Sequence, residues 1–329
     1  MLNFTRYKNH AHRYAWTQPL QLFEAKVMKG DEINISFRNF AVASQEASAH
    51  LFWEISITWK MRKLFNLSAT FLAIATFMSC AAHHSTAIAT QFTTDECGVI
   101  TKFNTGQPAV FLVFTAHFST SDNGYFENFD GIEPVLNTLK EKGVKGSFFP
   151  TGYCFVQEKY KKSIKRIIKE GHYLSHHSFH HLLLCENGKS LVTADSLDRD
   201  FQLMERQLSL LGLKKNQYDW IIPPYETYDL ASATEMKRLG YTLINPTPSI
   251  RTDMDWTSPG TEAYLSSEQI LDNLWKYEQE HTLNGVVLLI HAMNYPDRSD
   301  NDRIYTHLGE IIDKLRAKGY KFKTIFDVK

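Results

Sequence analysis

The sequence predicts an α/β fold in which helices cover a sheet of parallel strands. Beyond residue 108, apolar or mixed runs of strand length alternate with segments of helical period. Seven such runs occur, at 109–114, 144–149, 172–176, 219–223, 241–245, 286–291 and 321–325. Strands that alternate with helices pair in parallel through helical crossovers, so either an open doubly wound sheet or an incomplete (β/α) barrel satisfies the pattern. Both architectures place their chemistry at the carboxyl ends of the strands.

The segments between the strands have apolar residues three or four positions apart, the period of a helix with one buried face. The clearest stripes are Ile132, Val135, Leu136 and Leu139; Leu197, Phe201, Met204, Leu208 and Leu211; and Ile304, Leu308, Ile311, Ile312 and Leu315. Glycines that suit a left-handed helix end follow the helical runs, namely Gly143, Gly171, Gly212, Gly240 and Gly319. Period and helix-ending signals therefore predict the same helices.

Length and composition are those of a globular protein. The chain has 329 residues, 43% of them hydrophobic and 22% charged, which suffices for one large core or two modest ones. Its formal net charge is zero, so neither a basic excess for nucleic acid nor an acidic tail is present. We expect a neutral or weakly charged substrate and no nucleic-acid partner.

The N-terminal part of the chain contains the pattern of a secretory signal. Met61 is followed by two basic residues, an apolar run and small residues, and no Asp, Glu, Lys or Arg then occurs before Asp95. Cys80 at the end of the apolar run resembles the lipidated cysteine of a bacterial lipoprotein. Cleavage after Ala89 is the simpler alternative. An uncleaved membrane anchor is a third, although the run is near the lower limit of the roughly 17 to 25 residues that span a bilayer.

These features predict four segments. Residues 1–60 are expected to be a non-native or disordered extension, with a small cytoplasmic domain ahead of an anchor as the alternative. Residues 61–80 are assigned to a signal peptide or lipoprotein signal, 81–107 to a tether and 108–329 to the catalytic domain. The expected location is that of a secreted, periplasmic or outer-surface bacterial lipoprotein, which would contact the membrane only through a lipid on Cys80.

Polar residues lie just beyond the ends of five of the predicted strands. Because these ends share one rim of the sheet, we expect the side chains to meet there and form a site. In strand order they are His117 and Asp122; His177 and His181; Pro224, Tyr225 and Glu226; Asp253 and Asp255; and His291.

Two histidines of this set have the spacing of metal ligands. His177 and His181 are four residues apart, and a helical turn would bring both imidazoles to one face. Such a pair suits a divalent ion, zinc first and other transition metals as alternatives, but a zinc site usually needs a third protein ligand. His176 and His180 have the same spacing, so spacing alone does not select the pair.

Four motifs resemble those of the polysaccharide deacetylase family, the NodB-homology domain of carbohydrate esterase family 4. GHYLSHHSFHHL (171–182) is similar to its His-Ser/Thr-x-x-His motif, VKGSFFPTG (144–152) to its second strand, IIPPYE (221–226) to its Arg-x-Pro-Tyr motif and LLIH (288–291) to its Leu-x-x-His motif. The resemblance covers about residues 108–329. It implies a distorted (β/α)7 barrel and metal-dependent removal of N- or O-linked acetyl groups from a polysaccharide or oligosaccharide.

The first motif of the family is altered in this chain. Thr-Phe-Asp-Asp-Gly supplies a base and a metal-binding carboxylate, whereas the strand here continues into VFTAHFSTSDNG, with Asp122 followed by Asn123. The chain resembles a variant branch with Phe-Thr-x-His at this place. Either His117 is the third metal ligand and Asp122 the base, or Asp122 binds the ion itself.

The third motif departs as well, because Ile222 stands where the family has an arginine that braces the catalytic acid. Arg298 is the candidate to take over this bracing, and a solvated loop arginine is the alternative. With Tyr225 and Trp256, Arg298 is grouped as a candidate substrate-binding residue. The family implies that the backbone N–H of Tyr225 faces the developing oxyanion, and the two aromatic rings offer flat surfaces for a sugar.

The candidate catalytic residues have the chemistry of a metal-assisted hydrolase. A divalent ion lowers the pKa of bound water, and Asp122 would accept the remaining proton. His291 would donate a proton to the departing group, with Asp253 or Asp255 holding it protonated. Two alternatives stay open: a non-catalytic carbohydrate-binding protein with a degenerate site, and a hydrolase of another ester or amide.

Overall fold

The computed structural model describes residues 91–117, 128–295 and 297–329. The extension expected at 1–60, the signal at 61–80, Cys80 and Asp122 lie outside these ranges. The strands are β1 Phe92–Thr94, β2 Ile100–Phe103, β3 Ala109–Ala116, β4 Ser147–Pro150, β5 Tyr173–Leu174, β6 Cys185–Glu186, β7 Lys189–Ser190, β8 Trp220–Ile221, β9 Thr242–Leu243, β10 Val286–His291 and β11 Lys321–Lys323.

Helices occupy most of the segments between these strands. They are α1 Ile132–Glu141, α2 Gly152–Val156, α3 Lys161–Lys169, α4 Ala194–Leu210, α5 Leu230–Arg238, α6 Ser267–His281 and α7 Leu308–Ala317. Short 3-10 turns carry candidate site residues at Pro224–Glu226 and Thr252–Trp256. None of the helices in the described ranges is both long and apolar enough to cross a membrane.

The sheet is organised around β3. Its residues Val110 to Thr115 pair in parallel with Val286 to His291 of β10. On its other side, β11 pairs with the first half of β3 and β4 with the second half, and β5 continues beyond β4. At the far edge, β2 runs antiparallel to β10, and β1 runs antiparallel to β2.

Side chains close the remaining gap in the curled sheet. Strands β8 and β9 form a parallel pair, which a bridge between Ile244 and Ile100 joins to β2. Between β5 and β8, the hydroxyl of Tyr173 donates to the carbonyl of Trp220 at 3.1 Å and accepts from its N–H at 3.0 Å. Ser175 Oγ also donates to the carbonyl of Tyr218 at 2.6 Å. The result is a distorted barrel.

Each of the seven predicted runs overlaps one parallel strand of this barrel, namely β3, β4, β5, β8, β9, β10 and β11. The expected distorted (β/α)7 architecture is therefore confirmed. The tether expected over 81–107 is too long, because residues 92–103 form β1 and β2 and join the sheet through β10. These two strands are only three and four residues long and give little periodic signal.

The core has two layers, and β3 contributes to both. Val110, Leu112 and Phe114 pack in the cluster between sheet and helices, whereas Phe111 and Val113 pack in the cluster inside the barrel. All eight residues of β3 are buried, as expected for a strand covered on both faces. This buried strand fixes where the polar residues beyond its end are placed.

We predict that Gly285→Ala lowers the free energy of unfolding by about 3 kcal/mol, from left-handed strain and backbone overlap together. Gly285 has φ 76°, and an added methyl carbon would lie 1.6 Å from the carbonyl oxygen of Phe103. The matched control is Gly319→Ala, at φ 88° with open space around it, which should lose only about 1 to 2 kcal/mol. Urea unfolding measures the free energy of unfolding of both variants. Equal decreases would contradict the close approach of β2 and β10.

Candidate active site

His117 is placed at the rim by β3. It directly follows the strand and is buried. Its backbone N–H points to Sδ of Met293 at 3.4 Å, two residues beyond the end of β10. The ends of β3 and β10 are thereby tied together, and the rings of His117 and His291 lie with centroids 6.1 Å apart.

The histidine-rich segment is a loop. Ser178 and His181 have φ values of 61° and 53°, so the backbone cannot continue as a right-handed helix. The expected helical turn is therefore wrong. The loop nevertheless brings together the rings of His177 and His181, with centroids 4.9 Å apart.

The other two histidines of the segment have structural surroundings. His176 is buried, with its ring edge-on to those of Phe201 and Tyr241. His180 places Nδ1 2.7 Å from a carboxylate oxygen of Asp200. The ambiguity of spacing is thus resolved in favour of His177 and His181 as the pair at the rim.

Asp200 of α4 holds the histidine loop in place. Its carboxylate accepts hydrogen bonds from the backbone N–H groups of Phe179 at 2.6 Å and His180 at 3.0 Å. Asp200 is not among the candidate residues predicted from the sequence. The available signal was a charged side chain inside an apolar helical stripe, between Leu197 and Phe201, where burial requires a hydrogen-bonding partner.

His177 is oriented as a ligand would be. Its Nδ1 lies 2.8 Å from the carbonyl oxygen of Ile222, which leaves Nε2 directed elsewhere. Burial lowers the pKa of His177 to about 3, although the bond to Ile222 opposes this shift. The ring is therefore neutral, with Nδ1 as donor and Nε2 as the lone-pair nitrogen.

His181 lies in a stack of rings. Its ring is 4.0 Å from that of His117 and 4.1 Å from that of Tyr225, nearly parallel to both. Burial is the main cause that lowers the pKa of His181 well below its usual value, and protonation of a neighbouring imidazole would lower it further. Neutral imidazoles at the rim suit a cation better than a further proton.

His291 and Asp255 form a buried pair. Asp255 accepts from the backbone N–H of His291 at 2.8 Å, and its other oxygen lies 2.5 Å from Nδ1. Burial alone would lower the pKa of His291, but the charge and hydrogen bond of Asp255 raise it to about 9. Of the two acids considered for this contact, Asp255 makes it. Burial raises the pKa of Asp253, against the opposing charge of Arg251.

Glu226 is a site residue whose role the sequence did not indicate. It follows β8 in the turn Pro224–Glu226, and its Oε1 lies 3.6 Å from Nε2 of His177. Burial raises the pKa of Glu226 to about 7, and the charge of His291 opposes this shift. The available signal was the position of this carboxylate directly after Pro-Pro-Tyr at the end of a predicted strand.

Arg298 does not lie at a substrate surface, so its assignment to substrate binding is corrected. Its side chain is buried and donates to the carbonyl oxygens of Thr257 at 2.8 Å and Leu265 at 2.5 Å. It also forms an ion pair with Asp302 at 3.2 Å. Arg298 therefore holds in place the segment that follows Asp253 and Asp255. Ile222, which stands where the family has an arginine, packs inside the barrel.

Tyr225 and Trp256 have exposed rings next to site residues. Their exposed fractions are 45% and 49%. Tyr225 stacks on His181, and Trp256 directly follows Asp255 in the turn Thr252–Trp256. Both rings are available to a ligand at the rim, and their sugar-binding role stays a prediction.

The donor chemistry of the rim fits a divalent ion, since neutral imidazoles and carboxylates are the usual ligands of zinc. His177 also has the outer hydrogen bond that typically orients a metal-bound imidazole. Within the described ranges, no three such side chains are already grouped at coordination distances. Asp122, the expected carboxylate of the first motif, lies outside these ranges.

Fold and site together define the class of protein: a distorted (β/α)7 barrel with imidazoles and carboxylates at the carboxyl ends of its strands. Residues 115–244 match the family described as polysaccharide deacetylase. The chain is 30% identical to the peptidoglycan-N-acetylmuramic acid deacetylase PdaA of Bacillus subtilis (strain 168), over 68% of this chain and 73% of PdaA. It therefore belongs to the polysaccharide deacetylase family, the NodB-homology proteins of carbohydrate esterase family 4.

Solved structures agree with this assignment. The structure of Bacillus subtilis PdaA, a family 4 carbohydrate esterase, matches with a TM-score of 0.52 at 25% identity, over 70% of this chain and 84% of that one. A wild-type family 4 pseudoenzyme from Bacillus anthracis has a TM-score of 0.51 at 17% identity, over 69% of this chain and 67% of that one. The second likeness concerns the fold alone. The variant first motif stays a prediction.

We predict that Asp255→Asn lowers the pKa of His291 in the metal-free protein from about 9 to below its ordinary 6.5, because burial is then unopposed by a hydrogen-bonded carboxylate. In the wild type, this pair stabilises the fold below pH 6.5, and the stabilisation is lost as the pH rises through about 9. NMR titration of the His291 ring measures the change. Asp253→Asn is the control and should produce a smaller fall; equal falls would contradict the assignment of Asp255.

Proposed function

We propose that the protein is a metal-dependent hydrolase that removes acetyl groups from a polysaccharide or oligosaccharide. The observation that carries the proposal is the placement of the hydrogen-bonded pair of His291 and Asp255 on the same rim as His117, His177 and His181. Hydrolysis of an acetyl group needs an activated water on one side and a proton donor for the departing group on the other.

The ion, zinc as the first candidate, would polarise the acetyl carbonyl and make hydroxide available near neutral pH. His177 and His181 would bind it, with His117 or Asp122 as a further ligand. Asp122, when it is not a ligand, would accept the proton of the attacking water. Because the first motif is altered, an experiment must decide which of Asp122 and His117 is the further ligand and whether Asp122 is the base.

His291 would act as the general acid. Its raised pKa of about 9 keeps it protonated at neutral pH, so it can transfer a proton to the departing amine or alkoxide. Asp255 would orient the ring through Nδ1 and leave Nε2 for the transfer. The backbone N–H of Tyr225 would face the developing oxyanion, as in the family, and the rings of Tyr225 and Trp256 would contact the sugar.

The name of PdaA describes deacetylation of N-acetylmuramic acid in peptidoglycan. We therefore choose an N-acetylated peptidoglycan-type glycan as the first substrate to assay, with O-acetylated glycans as the second. Such a substrate lies outside the cytoplasm, which agrees with the proposed secretion and with a lipid anchor at Cys80.

A non-catalytic carbohydrate-binding protein is the second candidate function. It is favoured by Asn123 and Ile222 at two positions where the family has a carboxylate and an arginine. A binding protein of this kind would retain affinity for the glycan without releasing acetate.

We predict that His177→Ala and His181→Ala each lower acetate release at least about 100-fold and reduce bound metal, because each removes a proposed ligand. Acetate release from N-acetylated glycan and metal content of the purified protein measure the two effects. His281→Ala, on the exposed face of α6, is the matched control and should retain both. Wild-type protein that binds glycan but releases no acetate with any ion would favour the binding protein instead.

A further inference from the structure

The turn that carries Glu226 has a strained backbone. Tyr225 and Glu226 have φ values of 57° and 51°, two successive left-handed residues without glycine. Each such residue costs about 1 to 2 kcal/mol in protein backbones, and strain of this kind is concentrated at functional sites. The turn is held by the bond from Glu226 N–H to the carbonyl of Pro223 at 3.0 Å and from Asn245 Nδ2 to the carbonyl of Glu226 at 3.1 Å.

The carboxylate at the end of this turn lacks a hydrogen-bonding partner where one is needed. Oε1 of Glu226 is buried and accepts no hydrogen bond from any described residue, although 20% of the side chain as a whole is exposed. A buried carboxylate oxygen without a partner is costly, since it loses its hydration and gains nothing in return. Its closest imidazole nitrogen, Nε2 of His177, is 3.6 Å away, too far for a hydrogen bond.

This separation is close to that of two ligands on one ion. Imidazole nitrogen and carboxylate oxygen each lie about 2.0 to 2.1 Å from zinc, so a tetrahedral angle separates them by about 3.3 Å. The observed 3.6 Å between Glu226 Oε1 and His177 Nε2 needs a contraction of only a few tenths of an ångström. Nδ1 of His177 is already bonded to Ile222, so Nε2 is the nitrogen left for the ion.

The surrounding charge also favours a cation. Asp253 and Asp255 both act on Glu226 with negative charge, and His291 is the positive group that acts on it. Because His291 is hydrogen-bonded to Asp255, its charge is already engaged there. A divalent ion beside Glu226 would compensate the remaining negative charge.

We propose that Glu226 is a metal ligand, bound to the same divalent ion as His177, and that it supplies the carboxylate which the altered first motif lacks at Asn123. This inference rests on the metal requirement of the proposed function. His177 and Glu226 would form one part of the coordination sphere, and His181, whose ring is next to that of His177, would contribute a further ligand.

The test is metal affinity. Zinc binding to metal-free protein, measured by competition with a chromophoric chelator, should weaken more than about 100-fold in Glu226→Ala, because loss of an outer-shell partner alone costs 10- to 100-fold. Glu226→Gln should also weaken binding, since it removes the charge and keeps the shape. The matched control is Glu158→Ala, whose side chain is 86% exposed and which should bind zinc as the wild type does.

A second measurement distinguishes a ligand from a structural residue. Removal of an unpartnered buried carboxylate should leave the metal-free protein as stable as the wild type or more stable, as judged by its unfolding temperature. The absorption spectrum of the cobalt-substituted protein should change in Glu226→Gln and remain unchanged in Glu158→Ala.

Unchanged zinc affinity in Glu226→Ala would overturn the inference, and loss of acetate release with unchanged affinity would assign Glu226 as a base instead. A metal-free variant that unfolds at lower temperature than wild type would likewise overturn it. These outcomes differ from failure of the proposed function, in which the wild type itself binds no ion or releases no acetate.

Discussion

The arrangement of the site depends on the register between β3 and β10. Val110 to Thr115 pair in parallel with Val286 to His291, and the N–H of Ala292 continues the ladder to the carbonyl of Thr115 at 3.0 Å. Both strands are buried on two faces, so a slip by one residue would exchange the inward and outward side chains along the strand. Packing on both faces therefore fixes His291 level with Thr115, two residues before His117 at the same end of the sheet.

Polar residues hold the loops that complete the rim. Asp200 binds two backbone N–H groups of the histidine loop, and Arg298 binds carbonyl oxygens around the turn that carries Asp255. Each of these side chains is buried, and each provides hydrogen bonds that the irregular backbone lacks. The barrel gives the position of the site, whereas these two residues give its loops a single conformation.

Strand positions and the identity of the rim followed from the sequence because buried parallel strands produce continuous apolar runs. The boundary of the tether could not be predicted from the sequence, because β1 and β2 are short and partly exposed. They join the sheet through the pairing of β2 with β10, which is a long-range contact. The role of Arg298 could not be predicted either, because its partners are backbone carbonyls, which any sequence provides. The spacing of His177 and His181 suggested a helix, yet Asp200 and two left-handed residues produce the same proximity in a loop.

Ile222 and Glu226, in and beside the third motif, are linked through His177. Where the family has an arginine that braces the catalytic acid, this chain has Ile222. Ile222 instead packs inside the barrel and contributes only its carbonyl oxygen, which orients His177. Glu226 lies near the other ring nitrogen of His177 and combines a strained backbone with a buried carboxylate oxygen that has no hydrogen-bonding partner, so its position costs stability that a bound cation would offset.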